Sequence, residues 1–370
     1  MKLTKTKTDV LLDETIDHIS VHADFLRLFS DPKEILADIP VMQINSIMVM
    51  GSKINIPGRL IKMCNQYQIP LHLLTDYYKH NGSIYFSVHA NIKNRIAQFK
   101  TCTNEEWTLY LAKQLLHQKT QTQIAALKLW NFDTKNISLL QSKITNLSSQ
   151  QSLMGNEGTS AVIYWDKFGF KLQQIQETDN NLNIDKPKIV LEESKFKWNG
   201  RIKNPCLDPI NSMLSLAYAL LSTQCQTSLT LNGLDPYLGI LHSTNDDRPA
   251  LVYDIMEVYR VLLVDFWVLG LVQDQVFTPQ DFKFTAEGVC TLESDKKNEF
   301  FRMWYKRLKY SKFSTNKGEI TIHEFMNSNT KLIISWFDKI NSHKERDTQR
   351  FDKLPERLII FKDLSQFQKI

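Results

Sequence analysis

The sequence predicts an α+β fold, in which a small N-terminal β-sheet domain precedes a larger, entirely helical domain. Two patterns lead to this prediction. The first ninety residues contain short runs rich in β-branched residues, and from Asn91 onward the apolar residues recur with the helical period of 3.6. The length of 370 residues agrees with this, because about 150 residues per domain gives two or three domains.

We expect three segments along the chain. They are a β-sheet domain over residues 1–90, a helical domain over 91–340 and a charged tail over 341–370. In the first segment, Pro57 precedes apolar residues at helical spacing and predicts a short helix up to Tyr67. The runs that predict strands are residues 20–29, 41–50, 69–75 and 83–88.

The composition excludes several classes of protein. Apolar residues make up 42% and charged residues 23% of the chain, so a core can form and wholesale disorder is excluded. The five cysteines include no C-x-x-C pair, so neither a cysteine zinc site nor a disulfide framework is expected. No signal peptide is visible, and the longest apolar run, residues 261–272, is too short to cross a bilayer. We therefore expect a cytoplasmic protein without a membrane partner.

The basic residues are concentrated near the end of the helical segment. Residues 296–317 contain eight Lys/Arg and one acid, whereas the net charge of the whole chain is only +5. Aromatic residues recur among them at helical spacing, which predicts an amphipathic helix with a cationic face. Such a face fits contact with a phosphate backbone, and the alternative is a solvated surface. The cations that we expect to contact DNA are Arg302, Lys306, Arg307 and Lys309.

Acidic residues and one histidine are the best candidates for chemistry, since no G-x-G-x-x-G, G-K-[ST] or G-x-S-x-G motif occurs. Asp254 and Glu257 lie three residues apart in an apolar helical segment and so share a face. Two carboxylates there repel each other, and a divalent cation such as Mg²⁺ or Mn²⁺ relieves that repulsion. The alternative is a half-exposed helix in which Arg260 pairs with Glu257.

Two further residues fit the same chemistry. His242 follows a turn-rich connector containing Gly233, Pro236 and Gly239, and it precedes Asp254 by twelve residues. An imidazole beside carboxylates suits Mn²⁺ and tolerates Mg²⁺, although a lone histidine is more often structural. Glu157 lies before an apolar helix over residues 161–168, where an acid also interacts favourably with the helix dipole.

Several segments in order along the chain resemble one family. This family is the universal spacer-acquisition nuclease of CRISPR systems, the first-numbered CRISPR-associated family, which acts as a DNA integrase. The segments that carry the resemblance are Ile39-Pro-Val, Asn94-Arg95, Gly155-Asn-Glu157-Gly158 with Tyr164, Asp208-Pro209 with Asn211, Gly233-Leu-Asp-Pro236 with His242, residues 251–260, and Phe284 to Gly288.

The resemblance implies an N-terminal β-sheet domain, a helical catalytic domain and a homodimer. It implies dimerisation for the first segment, and catalysis with metal and DNA binding for the second. It also implies a larger complex with a small ferredoxin-like partner protein. The implied reaction is attack of a DNA 3′-hydroxyl on a phosphodiester at a CRISPR repeat, which joins a captured prespacer duplex to the array. A transposon-encoded integrase with the same catalytic domain and an inactive DNA-binding scaffold are the alternatives.

By the same resemblance, Glu157, His242 and Glu257 are metal ligands, with Asp254 one turn earlier on the same helix. The choice between Asp254 and Glu257 as the direct ligand stays open. Arg248 and Arg260 are expected either to neutralise DNA phosphate or to form salt bridges with nearby acids. Tyr164 is expected either to contact DNA or to pack in the core.

Overall fold

A computed structural model of the chain describes residues 8–22, 24–51, 54–75, 80–86, 92–182, 195–203, 205–242, 248–315 and 318–342. Nearly all of the predicted charged tail and Lys317 of the basic run lie outside the described residues. The α+β fold class is confirmed, because β-strands dominate the N-terminal part and helices the remainder. The chain divides into two compact units, one of residues 1–89 with 293–311 and one of residues 90–292 with 312–370.

The first unit contains two sheets. Their strands are β1 Thr8–Leu12, β2 His18–His22, β3 Phe25–Asp31, β4 Glu34–Pro40, β5 Ile44–Met50, β6 Leu71–Leu74 and β7 His80–Ile84. One sheet has four strands in the order β1-β5-β6-β7, of which the first three are parallel and β7 is antiparallel. The other is an antiparallel meander of β2, β3 and β4.

The connection between β5 and β6 is the predicted short helix, α1, over Gly58–Tyr67. Pro57 precedes its first residue, and the helix ends where Gln68 adopts a left-handed backbone with φ of 55°. Leu60 and Cys64 on its inner face are completely buried in the apolar core of this unit. The run expected as one strand over 20–29 is instead two strands of a hairpin, β2 and β3.

The basic helix does not belong to the helical unit in which the sequence placed it. It spans Ser294–Tyr310 and is grouped with the N-terminal strands. Its aromatic stripe explains this, because Phe300 and Trp304 are completely buried and the helix packs against β1. The single domain boundary expected near residue 90 therefore places this helix in the wrong unit, because the chain returns to the first unit at residues 293–311.

The second unit is a helical assembly with two short hairpins. The helix over Pro209–Leu231 is very apolar, and nearly all of its residues are buried. The helices are α2 Ile92–Cys102, α3 Glu105–Leu129, α4 Lys135–Lys143, α5 Gln150–Leu182, α6 Pro209–Leu231, α7 Ala250–Tyr259 and α8 Phe266–Gln273, followed after the basic helix (α9) by α10 Ile322–Ser342. The hairpin strands are β8 Phe282–Phe284 with β9 Cys290–Leu292, and β10 Lys312–Thr315 with β11 Gly318–Thr321.

Helix α5 is longer than the sequence indicated. It begins at Gln150, so Glu157 lies two turns inside the helix and not near its N-terminus. Gly155 and Gly158 do not interrupt it, and α5 continues to Leu182, well beyond the helix expected over 161–168. The helix dipole therefore does not account for the acid at 157.

A π-helix over Arg260–Asp265 joins α7 to α8. Such segments are rare and occur frequently at functional sites. The run 261–272, which includes all of the π-helix except Arg260, is almost entirely buried and forms part of the core. Within the described ranges, no helix is long and apolar enough to span a bilayer.

Candidate active site

Five segments of the helical unit bring polar side chains together in an otherwise apolar interior. They are α3, α5, the connector before α7, α7 itself and the π-helix. The side chains that they contribute are Lys119, Glu157, His242, Asp254, Glu257 and Arg260.

Asp254 is completely buried, and both of its carboxylate oxygens accept hydrogen bonds from the connector. Oδ2 accepts from the backbone N–H groups of Ile240 at 2.5 Å and Leu241 at 3.0 Å. Oδ1 accepts from the backbone N–H of His242 at 2.9 Å and contacts its ring Nδ1 at 2.6 Å. A Cβ at Gly239 would lie 3.0 Å from Oδ2, so a larger residue there would crowd this arrangement. Asp254 therefore fixes the connector and the ring of His242.

The His242 side chain is 28% exposed, in contrast to its buried carboxylate partner. When Nδ1 donates to Asp254, the neutral ring keeps its lone pair on Nε2, the other ring nitrogen. Burial alone would lower the pKa of His242, but the hydrogen bond and charge of Asp254 together raise it. A carboxylate behind an imidazole in this way is the usual support of a metal-binding histidine.

A second group of charges centres on Glu257, which is buried and lies one turn after Asp254. Its Oε1 accepts from Arg260 Nη1 at 2.8 Å, and its Oε2 lies 2.7 Å from the ammonium of Lys119. The same ammonium forms an ion pair with Oε1 of Glu157. Burial would raise the pKa of Glu257, but Arg260 and Lys119 outweigh it and lower the pKa to about 2. Glu257 is therefore ionised at any physiological pH.

The predicted metal ligands thus occupy two adjacent groups: the His242–Asp254 pair, and Glu157 with Glu257 bridged by Lys119. In the described part of the chain, no three His, Cys, Asp or Glu side chains are close enough together to hold a metal ion. The donor chemistry nevertheless fits Mg²⁺ or Mn²⁺, because two carboxylates already share one cationic atom. Glu157, Glu257 and Nε2 of His242 are the groups that would hold the ion.

Sequence reasoning missed Lys119, whose side chain is only 7% exposed. It lies in a helix in which polar and apolar residues are both buried, so no periodic pattern distinguished it. The burial of this lysine depends on tertiary packing, which no local sequence signal marks.

Tyr164 packs in the core, which is one of the two roles expected of it from the sequence. It is 1% exposed, and its hydroxyl donates to Asp265 Oδ2 at 2.9 Å. The hydroxyl of Tyr218 donates to the other oxygen of Asp265. Burial raises the pKa of Asp265 to about 6, although these two hydrogen bonds act in the opposite direction. Arg260 lies over the Tyr218 ring, 5.3 Å from its centroid, and so links this buried network to Glu257.

Comparison with known proteins identifies the family of this site. The sequence model of the family described as "CRISPR associated protein Cas1" matches residues 10–306. The chain belongs to the Cas1 family. The match covers both acidic residues of α7, His242 and Glu157, together with most of the first unit.

Individual relatives agree with this membership. A Thermus thermophilus protein named "CRISPR-associated endonuclease Cas1 3" is 29% identical over 279 residues, which cover 75% of this chain and 77% of the relative. Two solved structures share the Cas1 fold, each with a TM-score of 0.73. A "Casposase bound to integration product" is 21% identical, with 91% of this chain and 92% of that one covered. A "Cas6-RT-Cas1--Cas2 complex" chain is 20% identical, with 92% of this chain but only 36% of that one covered.

The basic residues of this Cas1 chain differ in their accessibility. On α9, Arg302 and Lys306 are exposed and Lys309 is partly buried. Arg307 is 4% exposed, and burial lowers its pKa to about 9, so its side chain does not lie on the cationic face expected of it. The reason is its register: it follows Trp304 by three residues and therefore points toward the core.

The remaining two cations lie in the helical unit. Arg248 is exposed. Arg260 is the salt-bridge partner of Glu257, the alternative that the sequence had left open. The acids that directly precede Arg248, Asp246 and Asp247, lie outside the described residues.

A cleft of about 990 Å³ lies beside the site in the same unit. It begins one turn after Glu157 along α5, at Ala161, and is lined by Trp165 and Trp198, whose ring centroids are 5.9 Å apart. The cations along it are Lys195, Lys197, Arg201 and Lys203. Aromatic faces interleaved with cations suit a nucleic-acid strand, because bases stack on the rings and phosphates pair with the charges.

Proposed function

We propose that this Cas1 chain is a divalent-metal-dependent DNA endonuclease and integrase, which inserts short duplexes into a CRISPR array. One observation carries the proposal. Glu157 and Glu257, from separate helices, share one cation beside a histidine that a buried carboxylate holds in place. The relatives' names, which include an endonuclease and a complex with an integration product, support the same chemistry.

The chain's own residues would divide the work of the reaction. Glu157, Glu257 and Nε2 of His242 would hold a Mg²⁺ or Mn²⁺ ion, which when bound polarises a scissile phosphate and stabilises transition-state charge. Asp254 holds the ring of His242 in one orientation and is not free to act as a ligand, since both of its oxygens already accept hydrogen bonds. Arg260 keeps Glu257 ionised and in position.

Double-stranded DNA is the proposed substrate, as both prespacer and CRISPR repeat. The proposed contacts to the DNA backbone are the exposed cations Arg248, Arg302 and Lys306 and the partly buried Lys309. Arg307 is not among them, because its side chain is buried. Cations on the surface supply affinity that is independent of sequence and sensitive to salt. Because the array is part of the chromosome of a prokaryotic cell, the proposed site of action is the cytoplasm.

A homodimer with a small partner protein completes the proposal. The β3–β4 hairpin and the turn after it leave large apolar side chains half-exposed, which is typical of a surface that a second subunit covers. These side chains are Phe25, Ile35, Leu36 and Met42. A structural neighbour is a chain of a "Cas6-RT-Cas1--Cas2 complex", which supports a partner protein for this chain as well. We propose that this partner is small and ferredoxin-like.

A plasmid integration assay tests the proposal. A short duplex with free 3′-hydroxyl ends is incubated with a supercoiled plasmid carrying the CRISPR repeat, Mn²⁺ and the protein, with and without the small partner. We expect relaxed plasmid covalently joined to the duplex, and no product with Glu257→Gln or with a duplex whose 3′ ends are blocked.

Two outcomes would replace the proposal with its alternatives. Joining that requires terminal inverted repeats on the donor, and ignores the CRISPR repeat, would indicate a transposon-type integrase. DNA binding without any cleavage or joining in Mg²⁺ or Mn²⁺ would indicate an inactive scaffold.

A further inference from the structure

The buried ammonium of Lys119 contacts both carboxylates that the proposed function assigns as metal ligands. It lies 2.7 Å from Oε2 of Glu257 and forms an ion pair with Oε1 of Glu157. The three side chains come from three different helices, α3, α5 and α7, so this contact joins the walls of the site. A lysine with 7% of its side chain exposed is unusual, because ammonium groups are rarely buried without a specific partner.

The charge balance of this group shows what the ammonium does. Two carboxylates face two cations, Lys119 and Arg260, so the group is neutral as it stands. Arg260 forms an ion pair with Glu257, through its other oxygen, and lies over the Tyr218 ring. Among the described residues, Lys119 is the cation that forms ion pairs with both acids. Without it, the buried Glu257 and the mostly buried Glu157 would approach each other with no charge between them, which is costly at low dielectric.

From this geometry we infer that Lys119 is an exchangeable positioning residue. Its ammonium holds Glu157 and Glu257 together before a divalent cation binds, and it must leave the shared oxygens when the cation takes them. The inference rests on the proposed function, which names these two acids as ligands. A compact, flexible ammonium suits the task, because it has three donors on four rotatable bonds and can move aside without unfolding its helix.

Exchange has a consequence that a purely structural lysine would not have. A lysine that only stabilises the fold would do so equally with and without metal. A lysine that shares its oxygens with the cation opposes metal binding, because the cation must displace a unit charge. Removing the charge of Lys119 should therefore lower the melting temperature of the metal-free protein and at the same time raise its affinity for the divalent cation.

The test compares Lys119→Met with Lys113→Met at one fixed pH on the full-length protein. Methionine keeps most of the length of the side chain and removes the charge. Lys113 is a matched control, since it lies on the same helix and its ammonium donates to the backbone oxygen of Thr145 at 2.9 Å, with no acidic partner among the described residues. Thermal melting in EDTA and in saturating Mn²⁺, together with Mn²⁺ affinity from electron paramagnetic resonance, are the measurements.

We expect Lys119→Met to melt several degrees below wild type in EDTA and to recover most of that loss in Mn²⁺. Its Mn²⁺ affinity should rise about tenfold or more, the size expected when one nearby like charge is removed. Lys113→Met should change neither quantity. Should Lys119→Met fail to fold, Lys119→Gln, which keeps two donors, replaces it with the same expectation.

Two results would overturn the inference. One is a melting loss of equal size in EDTA and Mn²⁺, and the other is an unchanged or weaker Mn²⁺ affinity. Glu257→Gln separates these from a failure of the proposed function. If wild-type Mn²⁺ binding does not depend on Glu257, the metal site itself is wrong; if it does and Lys119→Met binds no tighter, only the role of Lys119 is wrong.

Discussion

Replacing Asp254 by asparagine should damage folding more than any other isosteric change in the site. The buried carboxylate accepts four hydrogen bonds, three from backbone N–H groups of the connector and one from His242. An amide keeps one acceptor oxygen and turns its NH₂ group toward donors, so about two of the four bonds are lost. At about 1.5–3 kcal/mol for each hydrogen bond to a charged group, the free energy of unfolding should fall by about 3–6 kcal/mol.

Urea denaturation followed by tryptophan fluorescence measures that loss, with Glu257→Gln measured in parallel. Below its unfolding transition, Asp254→Asn should still bind Mn²⁺, but about 10–100-fold more weakly, because His242 has lost the partner that orients it. Glu257→Gln removes a proposed ligand and should bind no Mn²⁺ at the site. If Asp254→Asn kept the wild-type free energy of unfolding but lost all Mn²⁺ binding, Asp254 would be a direct ligand and our division of roles would be wrong.

Three other expectations follow from side chains already described. His242→Ala should keep a near-native melting temperature, because the His242 side chain is 28% exposed. The rate of strand transfer by this variant, measured on the same samples, should fall by at least about a thousandfold. A wild-type rate in limiting Mn²⁺ would mean that the metal site lies elsewhere. The carboxyl of Asp265 has a pKa of about 6 in the folded protein, whereas in the unfolded chain it loses its proton near pH 4. The folded state therefore loses stability as the pH rises from about 4 through about 6. Asp265→Asn should therefore gain about 1–1.5 kcal/mol relative to wild type between pH 5 and 7.5 in urea titrations, and a difference independent of pH would contradict this. Neutralising Arg302, Lys306 and Lys309 together should flatten the log–log salt dependence of DNA binding by up to about 0.9 per lost phosphate contact, whereas an unchanged slope would mean a merely solvated face.

The fold was predictable because its signals are local and periodic. The change from β-type runs to a 3.6-residue period near residue 91 reflects which faces are buried, and burial is what sorts side chains along a chain. The short helix ending at Tyr67 could be predicted because proline marks its start. By contrast, nothing periodic marks where α5 begins, and the helix runs through Gly155 and Gly158 although glycine is a poor helix former.

The candidate site was predictable only in part. Asp254 and Glu257 were found because two acids in an apolar helix are conspicuous, but their separate roles depend on which atoms face them. The connector returns three N–H groups to Asp254 from only 12–14 residues earlier, but no sequence pattern shows that its backbone folds back onto the carboxylate. The lysine that reaches Glu257 comes from a distant helix, α3. Arg307 was expected on the cationic face, but its spacing of three residues from Trp304 turns it toward the core.

The return of α9 to the N-terminal unit has a consequence for synthesis. Strand β1 lies at residues 8–12, whereas the helix that packs against it spans 294–310, so the ribosome delivers the two at nearly opposite ends of translation. Until then the apolar surface meant for Phe300 and Trp304 stays uncovered, and closing so long a loop adds an entropic barrier to the last step. The first unit of a nascent chain thus stays incomplete until most of the second unit has been synthesised, and a fragment ending near residue 90 would lack the helix that packs against its β1 strand.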